Sequence, residues 1–75
     1  MDTNETTKAV AEAVREHIAI AGETQLSIAE VTGIPRTTLM RRLSGVTPFT
    51  VAELAAIASA LGCTLGDLIV HEDAA

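Results

Sequence analysis

Aromatic residues are nearly absent: 75 residues include one phenylalanine, Phe49, and neither tryptophan nor tyrosine. The apolar 48% is mostly alanine, leucine, isoleucine and valine, so helix-on-helix packing of aliphatic side chains must supply the core. Cysteine is scarce as well. Cys63 alone cannot close an internal disulfide, and no Cys/His cluster has zinc spacing. A domain of this size hides only about 60% of the surface its unfolded chain exposes, and here it does so without a covalent or metal staple. One unpaired thiol fits a reducing cytosol. No apolar run approaches the roughly 20 residues of a membrane span, and the polar, acidic N-terminus does not have the pattern of a signal peptide. There is no Ser/His/Asp order, no pair of carboxylates in a plausible pocket and no phosphate loop, so no enzyme is expected. Internal repeats and low-complexity linkers are missing too. What remains is a single domain over residues 1–75, its core running from about 6 to 70 between short polar tails. No metal, cofactor or small-molecule ligand is evident for it.

Positive charge is the other shortage. Ten acids face five Lys and Arg, for a net charge of −5. Proteins that bind nucleic acid are usually basic, because phosphate neutralisation supplies most of the non-specific affinity. Distribution matters more than the sum. Three of the five cations, Arg36, Arg41 and Arg42, lie within seven residues, and no acid occurs between Glu30 and Glu53. The remaining acids lie toward the N-terminus (Asp2, Glu5, Glu12, Glu16), before the basic segment (Glu23, Glu30) and near the C-terminus (Asp67, Glu72, Asp73). Such a polarised molecule can turn one basic face to a duplex while binding DNA weakly in general.

The helix signals fall in order along the chain. Val10, Val14, Ile18 and Ala21 recur at helical spacing, predicting an amphipathic helix from about Thr6 to Ala21, with Gly22 at its C-terminal end. Thr24 can cap a second helix, Gln25 to Val31, in which Leu26, Ile28 and Ala29 are the apolar positions. Gly33 supplies the positive φ of a sharp turn. Pro35 suits the first turn of a third helix, which Gly45 ends after Ser44. Thr50 and Glu53 have capping-box spacing, and Phe49 and Leu54 have the spacing of a hydrophobic staple. A fourth helix follows, burying Leu54, Ile57, Ala58 and Leu61, and Gly62 stops it. Thr64 and Asp67 form a weaker capping box for a last short helix with Leu65, Leu68 and Ile69. Met1–Asn4 and His71–Ala75 are expected to be loose tails. The expected fold class is all-α, a compact bundle of five short helices.

Two short helices joined by a glycine turn, the second loaded with arginine, are the build of a helix-turn-helix DNA reader. On a wheel of about 100° per residue, Leu39 and Leu43 mark the buried side of the third helix. Thr37 and Arg41 then point almost directly outward, flanked by Thr38, Met40 and Ser44. Arginine can donate two hydrogen bonds to guanine, and threonine offers a hydroxyl or a methyl to a base edge. The helix start usually enters the groove, which favours Pro35, Arg36, Thr37 and Thr38 together with Arg41 as base contacts. Arg42, at the side, suits a phosphate. Thr24 and Gln25 place N–H groups and an amide toward another phosphate. Three arginines on a helix alone describe a solvated face; the turn and the preceding helix turn that pattern into a DNA-reading one. His17 is expected to pack at the edge of the core, and Cys63 to be structural.

The stretch TQLSIAEVTGIPRTTLMRRLSG followed by PFTVAELAAIASALGCTLGDLI resembles the lambda-repressor-like helix-turn-helix family of the Cro/XRE type. The likeness covers about Ala9 to Val70. It implies a five-helix domain whose second and third helices form the helix-turn-helix. It also implies a phosphate-contacting Gln at Gln25, base-contacting positions at Pro35, Arg36 and Thr37, and a later reader at Arg41. Arg42 and Leu43 depart from the family, which commonly has an apolar residue and then an acid there.

The expected function is sequence-specific binding of a double-stranded DNA operator by a transcriptional regulator. A repressor or Cro-like switch protein of a phage, mobile element or bacterium fits, acting in the cytoplasm of the bacterial cell or phage host. A homodimer is expected, formed in some cases only on DNA, with Ile69 and Val70 as its contact. The alternative is an acidic protein-interaction module on the same fold, antitoxin-like or an antagonist of another DNA binder.

Overall fold

The helix ends are fixed by local chemistry, and that chemistry sets the element order. The computed structural model describes residues 3–69, with side chains from residue 5. Five helices follow one another: α1 (Thr3–Ile20), α2 (Gln25–Thr32), α3 (Arg36–Leu43), α4 (Val51–Leu61) and α5 (Leu65–Leu68). No strand occurs among the described residues. Thr24, Thr50 and Thr64 each accept the N–H of the residue three positions on, and Ser27, Glu53 and Asp67 reach back to the cap's own N–H. Three reciprocal capping boxes therefore start α2, α4 and α5 and satisfy N–H groups that a helix leaves orphaned.

Two glycines shape the approach to α3 and the departure from it. Gly33 ends α2 at φ 79° and donates its N–H to the Ala29 carbonyl. Gly45, at φ 83°, is buried, and a Cβ there would sit 3.3 Å from Lys8 Cγ of α1. The first glycine is required by backbone angle alone; the second also by the closeness of α1.

The core is wholly aliphatic, and every helix contributes. Val14, Leu39, Ile57 and Leu68 are completely buried, and Ile28 is 2% exposed. α3 packs between α1 and α2, α4 packs against α2 and α5, and α5 closes back on α1. α3 and α4 are not closely packed on each other. Phe49 is half-buried against the core, and with Leu54 it borders an apolar hollow of about 210 Å³ beside Val10.

Several expectations are corrected. α1 starts three residues early, at Thr3, with Glu5 placed favourably against the helix dipole in the first turn. Its buried stripe is Ala11, Val14 and Ile18, while Val10 lies at the margin and Ala21 is exposed beyond the last turn. Leu26 is 48% exposed, because two positions along a helix from Ile28 it points to another side. Ile34, in the turn itself, is buried. Pro35 is the N-cap of α3 and not its first residue, and its carbonyl accepts from Leu39 N–H. Leu61, Leu65 and Ile69 are only half-buried, so Ile69 leans on the core and does not stand clear as a dimer contact. Val70 and the expected C-terminal tail lie outside the described residues, as do Met1 and Asp2.

Gly33→Ala carries the strain of a left-handed side chain, about 1–2 kcal/mol. Gly45→Ala is expected to cost more, because Lys8 must also move. Urea unfolding midpoints check the order; equal losses would show that α1 yields freely at Gly45.

Candidate nucleic-acid interface

α3 is eight residues long and buries two of them, Leu39 and Leu43, one turn apart. Everything opposite that pair must face outward. Thr37 and Arg41 are exposed there, as are Pro35 and Arg36 at the helix start. Met40 is 50% exposed, and Thr38 is half-buried toward the bundle. Arg36 and Arg41 take part in no hydrogen bond or ion pair through their side chains among the described residues. The Arg41 carbonyl, by contrast, accepts from the Ser44 hydroxyl at 2.7 Å, which closes the last turn beneath it. Thr37 and Arg41 thus share one open stripe of α3, Arg36 is exposed at the helix start, and Thr38 is turned partly away.

The start of α2 differs from its expected form. Thr24 and Gln25 are both exposed. However, the Thr24 N–H donates to Ser27 Oγ and the Thr24 hydroxyl accepts from Ser27 N–H, each at 3.0 Å. The threonine therefore spends its polar groups on the cap. Ser27 Oγ also donates to Glu23 Oε1 at 2.8 Å, which places a carboxylate beside the helix start. That carboxylate already complements the helix dipole and opposes a phosphate at the same spot. The N–H groups of Gln25 and Leu26 precede the first intrahelical bond, Ile28 N–H to the Thr24 carbonyl. The Gln25 amide and these two N–H groups are what α2 can still offer an anion.

Arg42 is the clearest departure from expectation. Its Nε donates to Glu53 Oε1 at 2.9 Å and its Nη2 to Glu53 Oε2 at 3.3 Å. Both side chains are largely buried, at 19% and 18% exposed. A two-point arginine–carboxylate contact is among the stronger hydrogen-bonded pairs, and it takes up the charge that a phosphate contact would use. In the free protein Arg42 thus faces Glu53 and not the open surface where the sequence leads one to expect a phosphate contact. Glu53 simultaneously accepts the Thr50 N–H at 2.9 Å. The Arg42 guanidinium, and to a smaller degree Thr50, hold the Glu53 carboxyl below the ordinary carboxylate range against the opposing effect of burial.

Sequence reasoning also missed Arg15. From α1, its Nη1 donates to the Leu43 carbonyl at the end of α3, satisfying an acceptor the helix leaves unpaired. A positive group at a helix C-terminus also interacts favourably with the helix dipole. Nothing local in the sequence signals a partner 28 residues away. Two of the five cations thus hold α3 in place instead of facing outward, and Lys8 lies against Gly45. His17 packs as expected at the core margin, its Nδ1 3.0 Å from the Ala13 carbonyl. Cys63 is half-buried, and burial pushes its thiol pKa up, which disfavours the reactive thiolate. No helix among the described residues is long and apolar enough to cross a membrane.

A carboxylate whose folded pKa is lowered contributes stability above its unfolded pKa and loses it as pH falls through the folded one. Between about pH 5 and pH 3, the wild type is therefore expected to lose more stability than Glu53→Gln. Thermal melts across that range check this; parallel losses would show that the Arg42 contact does not hold the Glu53 proton off.

Searches of curated proteins and of solved structures returned no match to the chain. A family model for the Cro/C1-type HTH DNA-binding domain matches residues 18–74, which takes in α2 to α5 and the end of α1. Five helices in this order, with a glycine turn between α2 and an exposed, cationic α3, agree with that match. The chain belongs to the Cro/C1-type helix-turn-helix family of DNA-binding regulators.

Proposed function

We propose that this protein is a sequence-specific double-stranded DNA-binding transcriptional regulator, a repressor or Cro-like switch protein of a phage, mobile element or bacterium. The observation that carries the reading is the placement of Thr37 and Arg41 on one exposed stripe of α3, opposite buried Leu39 and Leu43. Arg41 has the reach and the free donors for the O6/N7 pair of a guanine. Thr37, Arg36 and Pro35 crowd the helix start beside it, the part of a recognition helix that meets base edges. Thr38 contributes at the margin. Gln25 supplies a phosphate contact through its amide, with the first-turn N–H groups of α2 behind it. A homodimer on a two-fold operator, half-sites about 34 Å apart, suits a reading helix of only eight residues.

The acidic surface supports a second reading. Glu5, Glu12 and Glu16 are exposed along α1. A basic protein partner docked there would make the chain an interaction module, antitoxin-like or antagonistic to another DNA binder. The two readings differ in what they need of α3: the first requires its outer face, the second does not.

A random duplex pool separates them. The wild type is expected to enrich a defined sequence at low salt. Arg41→Ala is expected to abolish that preference while leaving thermal stability within about 0.5 kcal/mol, because the side chain is exposed. Because the phosphate contact is a neutral amide and only Arg36 and Arg41 bring free charge to the site, log K is expected to fall with log salt no more steeply than about −1.8 per chain. Enrichment of no sequence by the wild type would remove the DNA reading and leave the interaction module.

A further inference from the structure

We infer that the Arg42–Glu53 pair is a positioning latch for the recognition helix: it sets how α3 is rolled against the bundle. This rests on the DNA-binding reading above. The packing gives the reason. α3 lies against α1 and α2 but not closely against α4. Leu39 and Leu43 fasten it along one line, and a helix fastened along one line can still roll about it. Arg42 projects from the side of that line, and its fork grips both carboxylate oxygens of Glu53. A two-point contact between planar groups fixes direction as well as distance.

Glu53 is itself held. Its Oε1 accepts the Thr50 N–H and its own N–H donates to Thr50 Oγ1 at 3.0 Å. The anchor for Arg42 is thus part of the first turn of α4, not a free side chain. Arg15, in α1, holds the Leu43 carbonyl. The C-terminal half of α3 is fixed from two helices, and Arg41, adjacent to Arg42, is aimed by that fixation. The pair is neutral overall, so it releases no counterion when DNA binds.

The test uses the full chain and the duplex that the wild type enriches, at a temperature where circular dichroism shows every variant folded. Glu53→Gln keeps an N3 acceptor for the capping box but removes the charge. It is expected to weaken specific binding roughly three- to tenfold with an unchanged salt slope. Arg42→Lys keeps the charge but lacks the fork, and is expected to lose a similar factor. Thr64→Ala removes the cap of α5, away from α3, and is expected to leave affinity unchanged at a comparable loss of stability.

The latch is overturned if Glu53→Gln tightens binding and steepens the salt slope by about 0.9 per chain, which is the signature of an Arg42 freed onto a phosphate. An Arg42→Lys variant that binds like the wild type overturns it as well. So does a Thr64→Ala loss equal to the others, since stability alone would then explain all three. If the wild type enriches no duplex, the DNA reading itself has failed and the latch falls with it.

Discussion

Two leucines one turn apart hold α3 to the rest of the molecule. Leu39 and Leu43 are 0% and 3% exposed, and α3 buries no other residue. Each such burial stabilises by about 1.5–3 kcal/mol, whereas a partly exposed ion pair usually contributes about 1 kcal/mol or less. Burial therefore decides that α3 docks at all. It also decides which side faces out, because a helix of eight residues, about 12 Å long, offers one apolar stripe and its opposite. The exposure of Thr37 and Arg41 is the geometric complement of the burial of Leu39 and Leu43.

The polar groups around α3 then refine what burial leaves open. The turn at Gly33 sets the angle between α2 and α3, and Gly45 lets α1 come close at the other end. Arg15 satisfies the last-turn carbonyl of α3, and Arg42 joins it to the capped start of α4. A chain with five Lys and Arg in total thus spends two on internal structure. That allocation leaves Arg36 and Arg41 as the free guanidiniums of α3, so a chain of net charge −5 has little general attraction for a duplex.

Most of the fold could be read in the sequence because its determinants are local. Thr50 and Glu53 are three residues apart, and so are Thr64 and Asp67; the physics of a capping box operates at that spacing. Gly33 and Gly45 announce positive φ wherever the chain must turn sharply. The outward direction of Thr37 and Arg41 followed from Leu39 and Leu43 by helix geometry alone. The misses are of two kinds. Leu26 stands in one apolar run with Ile28 and Ala29, but residues two apart on a helix, such as Leu26 and Ile28, do not share a face. The partners of Arg42 and Arg15 lie 11 and 28 residues away, and no periodicity encodes them. Glu53 concealed its second role because its capping role already accounted for an acid at that position.

The central claim is that the outer stripe of α3 is the surface that meets duplex DNA. Amide chemical-shift mapping on the labelled full chain tests it most directly, with the enriched duplex added stepwise. The largest changes are predicted along Arg36–Arg41 and at Gln25 and Leu26, with the α1 residues Glu12 and Glu16 unmoved. Changes centred on the acidic side of α1, with Thr37 and Arg41 silent, would contradict the account.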